Sequence, residues 1–301
     1  MNNALLMDIG GTNIRYAYIE NSNVKKIIKE PFQEDNFEAY LTNLINKKFK
    51  KTKIIAIAAA GPKINNKIEL TNRNLVIDAQ SIRKNFDLEA CYLMNDWEAI
   101  GFSLKELPSS ELVSLKKGDN DLENSLLIGP GTGLGLTMIV NGEIIPTEAG
   151  NIINATESAL KNFSLHKDKD FIVLEDILSG PGIKKIYEKK FGEKLSSEKI
   201  IEQAKLGDEK ARFVIEGFLK TLSQIICDIC LSFSIGKIFF AGAILNSLED
   251  FLAEIDLLSN AKEQEINSKY LPLIGEAGIT LIKTEEPAIY GCIGYIKEKA
   301  G

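Results

Sequence analysis

This sequence predicts an α/β protein of two halves that repeat one topology, and three observations carry the prediction. Two apolar runs, 4–7 and 14–19, flank a glycine turn, Asp8-Ile9-Gly10-Gly11-Thr12-Asn13. The arrangement returns later, where Leu126-Leu127-Ile128 and 134–140 flank Gly129-Pro130-Gly131-Thr132-Gly133. After each hairpin, strand-like runs alternate with segments of helical spacing. The repeat is one of topology, not of obvious sequence.

In the first half, strands are expected at 4–7, 14–19, 24–28, 54–58 and 92–94, with short β segments at 68–70 and 75–77. Phe37, Leu41, Leu44 and Ile45 mark a helix, and another begins after Asn95. In the second half, strands are expected at 126–128, 134–140, 143–145, 237–240 and 279–282. Asn141-Gly142 is a type I′ hairpin signal, because both central residues of that turn need positive φ. A long helix is expected over 209–234 and a last one from about Pro287. The boundary between halves is expected within 107–124, which is polar and contains Pro108, serines and a charge run.

A length of 301 residues suits about two domains at ~100–200 residues each. The net charge is −6, which gives no support to a nucleic-acid-binding face. Lys47-Lys48 and Lys50-Lys51 read as a solvated helix end. Four cysteines in so long a chain do not make a disulfide framework. Cys227 and Cys230 lie in a run with apolar residues at Val214, Phe218, Leu222, Ile225, Ile229 and Phe233, so both thiols read as helix packing. A structural zinc needs more ligands, and the single histidine, His166, has no metal-motif spacing to them. No basic-flanked signal segment opens the chain, and no apolar run reaches the ~20 residues of a membrane span. A cytoplasmic protein without a membrane partner is expected.

Chemistry is expected at four places. Glycines at the first turn allow a sharp bend and close backbone approach, and successive N–H groups can cradle an anion. Asp8 would repel a phosphate, so its use there is to hold a cation, directly or through water. The same turn also fits an ordinary hairpin with a solvated Asp. The second loop lacks both the G-x-G-x-x-G and the Walker A patterns. It sits between strands, and its N–H groups and the Thr132 hydroxyl suit a phosphate. Glycine hairpins also serve packing alone, but two at corresponding places suggest a split phosphate clamp. Asn95-Asp96 stands between a strand and a helix, where α/β folds place ligand-binding groups. The pair also reads as an N-cap. With no histidine base available, a carboxylate that accepts a hydroxyl proton suits phosphoryl transfer. Glu148 and Glu175 read as surface carboxylates or as acceptors for the hydroxyls of a polyhydroxylated ligand.

In this order the elements resemble the bacterial glucokinase family of the actin-like sugar-kinase superfamily. The resemblance rests on 8–13, Thr71-Asn72, Asn95-Asp96, 131–135, Glu148-Ala149-Gly150, Leu178-Ser179-Gly180-Pro181-Gly182 and Phe240-Ala241-Gly242. It runs nearly end to end. The cysteine-rich zinc motif of the related repressor-and-kinase branch is absent.

That resemblance implies two actin-like, ribonuclease H-like domains, each with a mixed sheet, and an active-site cleft between them. It divides the chain into 1–108 with a returning C-terminal helix at 286–301, and 109–285. It implies a cytoplasmic, ATP- and Mg²⁺-dependent hexokinase acting at the C6 hydroxyl, most simply a glucokinase of glycolysis, and a homodimer. Asp96 would be the general base. Asn95, Asp96, Glu148, Asn151 and Glu175 would bind the sugar. Asp8 would place Mg²⁺, through water. Gly10, Gly11, Thr12, Asn13, Gly131, Thr132 and Gly133 would meet the phosphates, and Gly242 the adenosine.

Two departures fall on sugar recognition and not on the phosphate loops. The family reads Glu-Gly-Gly-His where this chain has Glu148-Ala149-Gly150-Asn151, and Asn151 cannot become a cation. Arg73 follows Thr71-Asn72 where the family has an aromatic. A kinase for another hexose or an amino sugar, and a sugar sensor without turnover, are the alternatives. The intact Asp96 and the lack of a helix-turn-helix before Asp8 stand against the sensor.

Overall fold

The computed structural model describes residues 3–10, 12–21, 23–32, 36–71, 73–252, 257–263 and 265–300. The chain divides into two compact units, Met1–Pro108 with Glu286–Gly301, and Ser109–Glu285.

The first unit runs through β1 (Ala4–Ile9), β2 (Asn13–Glu20), β3 (Asn23–Val24), β4 (Ile28–Pro31), α1 (Phe37–Lys48), β5 (Ile54–Ala59), β6 (Lys63–Ile64), β7 (Lys67–Glu69), β8 (Val76–Asp78), α2 (Ala79–Asn85), β9 (Ala90–Asn95) and α3 (Asp96–Ser103). Its main sheet has the order β3-β2-β1-β5-β9, with β4 also paired to β2. β1 and β2 are antiparallel, whereas β1, β5 and β9 are parallel. β6, β7 and β8 form a small sheet of their own. Successive side chains of a strand point to opposite faces, so Leu5, Met7 and Ile9 pack with Leu41 and Leu44 of α1, while Ala4 and Leu6 face the other way. Burial of both faces explains why β1 and β5 read as unbroken apolar runs.

The second unit runs through β10 (Leu112–Lys116), β11 (Ser125–Pro130), β12 (Leu134–Val140), β13 (Glu143–Pro146), α4 (Thr156–Lys161), α5 (Gly180–Phe191), α6 (Ser197–Lys205), α7 (Glu209–Phe233), β14 (Lys237–Phe240), α8 (Ala243–Ser247), α9 (Glu249–Leu252), α10 (Leu257–Glu263), α11 (Leu271–Gly275) and β15 (Gly278–Ile282). The sheet order is β10-β15-β14-β11-β12-β13. β11, β12 and β13 are antiparallel neighbours, and β11, β14 and β15 are parallel. From β13 to β15, order and direction match those from β3 to β9 in the first unit, so the topology does repeat. Asn141 and Gly142 have φ of 54° and 83°, the signs a type I′ turn needs.

The last helix, α12 (Pro287–Ala300), belongs to the first unit. Its Ile289, Cys292, Ile293 and Ile296 cover Ala4, Leu6, Ala17, Ala56 and Ala58. Small residues on that face let the helix come close. Gly291 faces α3 instead, where a Cβ would lie 1.8 Å from the Ala99 carbonyl oxygen.

Three expectations need correction. The strand expected at 24–28 is two strands, β3 and β4, separated by 25–27. The region 107–124 does contain the boundary between the units, at Pro108–Ser109. It also holds β10, which pairs with β15, and Val113 and Leu115 pack on the core. The glycine loop is narrower than its sequence suggests, because Gly129 and Gly135 are ladder partners and only 131–133 turn. The buried stripe of α7 ends in Ile226, Cys227 and Cys230, while Phe233 is 41% exposed. Both thiols are pushed up to about 12 by burial, and Cys227 Sγ donates to the Leu257 carbonyl. Among the described residues, no helix is long and apolar enough to cross a membrane.

Candidate active site

Ile9, Ala59 and Asn95 are register partners at the carboxyl ends of β1, β5 and β9. The first glycine turn and Asn95-Asp96 therefore share one edge of one sheet, the edge where open α/β sheets bind ligands. The turn is closed by Gly10 N–H donating to the Asn13 carbonyl at 3.0 Å. Phe32 N–H donates to the Thr12 carbonyl at 2.9 Å, and Asn13 Nδ2 to Thr12 Oγ1 at 3.0 Å. Gly11 and Asn72 lie outside the described residues.

Asp8 is mostly buried on β1, with Arg15 Nη1 3.2 Å from its Oδ2. Burial pushes its carboxyl up, the Arg15 guanidinium opposes that, and the Glu286 charge adds to the rise. No three His, Cys, Asp or Glu side chains among the described residues gather as a metal site of their own. One carboxylate with waters and phosphate oxygens is an ordinary Mg²⁺ environment. Asp8 fits that kind of site.

Asn95 is the N-cap of α3, and the cap is a complete capping box. Its Oδ1 accepts from Trp97 N at 2.8 Å and Glu98 N at 3.3 Å, and Glu98 Oε2 accepts from Asn95 N at 3.1 Å. Asn95 Nδ2 donates to the Gly61 carbonyl at 3.0 Å. Gly61 has φ of 153°, and a Cβ there would lie 2.3 Å from the Glu69 carbonyl, so only glycine fits. Half-buried Asp96 opens α3, with Oδ1 accepting from Trp97 N at 2.9 Å. Arg73 donates to the Phe32 carbonyl at 2.8 Å and lies over the Phe32 ring, 4.9 Å from its centroid.

In the second unit the loop is held by residues far along the chain. Gly131 N–H donates to the Gly133 carbonyl, and Gly180 N–H to the Gly131 carbonyl, both at 2.8 Å. Ser179 caps α5 by accepting from Gly182 N at 3.0 Å, which sets Gly180 against the loop. Glu175 Oε2 accepts from Leu134 N at 3.2 Å. A Cβ on Gly133 would lie 2.5 Å from that same oxygen, and one on Gly150 would lie 3.1 Å from it. Glu148 keeps an exposed edge, yet partial burial and then the Glu175 charge hold its carboxyl above the usual range. Exposed Asn151 donates its N–H to the Glu148 carbonyl at 3.0 Å. Ile128 of β11 and Phe240 of β14 are parallel register partners, so the loop and Gly242 follow neighbouring strand ends. Gly242 has φ of 98°.

Each unit thus gathers its own set. The first holds Asp8, Gly10, Thr12, Asn13, Asn95 and Asp96. The second holds Gly131, Thr132, Gly133, Glu148, Asn151, Glu175 and Gly242. Sequence reasoning missed the supports Arg15, Lys63 and Glu98, and it named Gly180 only as part of the motif at 178–182. Glu98 was findable, because a Glu three residues after an Asn cap is the capping-box spacing. Lys63 carried no signal.

A sequence profile described as Glucokinase matches residues 5–299. This chain belongs to the glucokinase family. It is a sugar kinase, a transferase that phosphorylates a sugar. A glucokinase of Pseudomonas paraeruginosa (strain DSM 24068 / PA7) is 26% identical over 311 residues, covering 96% of this chain and 90% of its own. The solved structure of a glucokinase from an Antarctic psychrotroph has a TM-score of 0.78 at 23% identity, with 98% of each chain covered. A ROK family glucokinase from Streptomyces griseus, solved in complex with glucose and AMPPNP, has a TM-score of 0.64 at 15% identity, covering 96% of this chain and 97% of that one. These likenesses agree with the repeated topology, and the fold of this glucokinase-family chain is actin-like.

Proposed function

We propose that this glucokinase-family enzyme transfers the γ-phosphoryl group of ATP to the C6 hydroxyl of glucose. The observation that carries the reading is Asp96, a carboxylate at a capped helix start on the same sheet edge as the first glycine turn. As the C6 oxygen bonds to the γ-phosphorus and the bond to ADP breaks, Asp96 accepts the hydroxyl proton. Asn95, Glu148, Asn151 and Glu175 hydrogen-bond the remaining hydroxyls. Asn95 brings only the N–H left over from its capping bonds. Gly10, Gly11, Thr12 and Asn13, with Gly131, Thr132 and Gly133, present N–H and hydroxyl groups to the phosphates. Gly242 leaves room for the adenosine. Asp8 would hold Mg²⁺ through water, and the ion when bound neutralises phosphate charge. The residues themselves contribute by positioning and by fixed dipoles. The unit Met1–Pro108 with Glu286–Gly301 serves as the smaller domain and Ser109–Glu285 as the larger. The enzyme works in the cytoplasm as a homodimer.

The test is ADP release from Mg-ATP with glucose, and in parallel with mannose, fructose, glucosamine and N-acetylated sugars. Glucose-dependent turnover above the sugar-free rate is the expected outcome. Turnover with another sugar alone moves the assignment to that sugar. No turnover in folded, ATP-binding protein leaves a sugar sensor.

A further inference from the structure

The start of α3 is tied twice to the short segment 61–63, which leads into β6 of the small sheet. Asn95 Nδ2 donates to Gly61 O at 3.0 Å, and Lys63 Nζ lies 2.8 Å from both carboxylate oxygens of Glu98. Glu98 is 8% exposed, so its charge has little water to turn to. The oxygen that meets Lys63, Oε2, also accepts from Asn95 N and so closes the capping box. Tyr295 of α12 feels the Glu98 charge and the ring of Tyr92, and burial raises its hydroxyl first of all. With its hydroxyl held above the usual tyrosine value, Tyr295 is neutral at working pH. Among the described residues, Lys63 is the cation that pairs with Glu98.

We propose that Lys63 is a positioning residue for phosphoryl transfer, acting through Glu98 on the helix start that carries Asp96. This rests on the reading of Asp96 as the base. Asp96 is the first helical residue, so its direction follows from where and how α3 begins. Without the ammonium, a carboxylate this buried either turns toward water or takes a proton. Turning removes Oε2 from Asn95 N, opens the box and releases the first turn. A shift of about 1 Å in a catalytic group costs on the order of 10²-fold in rate. A pair that served stability alone would leave the turnover of the folded protein unchanged.

The experiment compares Lys63→Met, Lys63→Arg, Glu98→Gln and the double variant Lys63→Met/Glu98→Gln. Each is assayed with Mg-ATP and the accepted sugar, and amide hydrogen exchange is read at Asn95 and Trp97. Lys63→Met is expected to lower kcat about 30-fold, within the range that misplacement causes, while both KM values stay within about threefold. Lys63→Arg restores most of the rate, because it keeps the charge. The double variant matches Glu98→Gln alone, because a neutral amide leaves no buried charge to hold. Exchange at Asn95 and Trp97 quickens at least about tenfold in Lys63→Met, and amides of β5 do not change. A folded Lys63→Met with wild-type kcat overturns the proposal. So does a loss that persists unchanged on the Glu98→Gln background, or a rise confined to KM. If Lys63→Met does not fold, Lys63→Gln takes its place in each comparison. Absence of turnover in the wild type would sink the base assignment instead, and the exchange data would still decide whether Lys63 holds the box.

Discussion

The two glycine turns occupy the same place in the same topology, yet they are held differently. The first is closed by its own backbone, Gly10 to Asn13, and by Phe32. A Cβ on Gly10 would meet only the Asn13 carbonyl, at 3.4 Å, which is ordinary contact. The second is held by Glu175 and Gly180, and a Cβ on Gly133 would run into the Glu175 carboxylate. Gly131 in the same loop has nothing within 4 Å of where a Cβ would go. One residue type thus answers two demands. At Gly133 a side chain would have to displace the Glu175 carboxylate. At Gly10 and Gly131 the fold leaves room for one.

The deepest difference is chemical, since the first turn shares its sheet edge with Asp96. Asp96→Asn is expected to lower kcat about 10²–10⁴-fold while nucleotide affinity stays within about twofold. A kcat within tenfold of wild type, measured by ADP release, would remove the base from this edge. Next comes Gly133→Ala, which drives the Glu175 carboxylate from its place. Both KM values should rise about tenfold, the equivalent of ~1.4 kcal/mol, and Glu175→Asp should restore part of the loss. Equal KM values in Gly133→Ala and Gly10→Ala would erase the distinction between the turns. Gly131→Ala is milder. Its melting temperature should match wild type, and any increase in KM for ATP then reports how close the phosphates come.

The smallest effect is at Glu148. Its carboxyl sits above the usual range in the folded state, so the folded protein keeps this proton to higher pH than the unfolded chain does. The favourable contribution is complete below the unfolded value and is lost as pH rises through the folded one. Glu148→Gln should therefore melt slightly higher than wild type at pH 7 and equally below about pH 4, where the carboxyl is neutral in both states. A melting difference that does not change with pH would contradict this.

Much of the fold was legible because its strands are short apolar runs bounded by glycine and asparagine turns. β14 is read off Lys237–Phe240 directly, and Asn141-Gly142 announced its hairpin. β10 was hidden because Leu112, Val113 and Leu115 stand among charged and polar neighbours at a sheet edge, where one side needs no apolar cover. The glycines and carboxylates of the candidate site stood out by residue type. Lys63 did not, because it gains its meaning from a partner 35 residues away, and spacing along a chain carries no trace of that. The glycine-rich pattern also gave Gly129 and Gly135 the same weight as Gly131, although they are ladder residues.

One face of the first sheet carries Ala4, Ala17, Ala56 and Ala58, and α12 packs there together with Ala99 and Phe102 of α3. During synthesis, α12 leaves the ribosome after every element of the second unit. The nascent chain therefore carries an open alanine face, with its partner still unmade, for more than half of translation. The second unit has its whole sequence available earlier and can close first, in the way that domains fold as units during elongation. The final step of biogenesis is then a docking reaction, in which α12 seats on a waiting surface with Gly291 against the Ala99 carbonyl of α3. A methyl group at that glycine would block the seat, and the damage would be done to a protein whose other half was already finished.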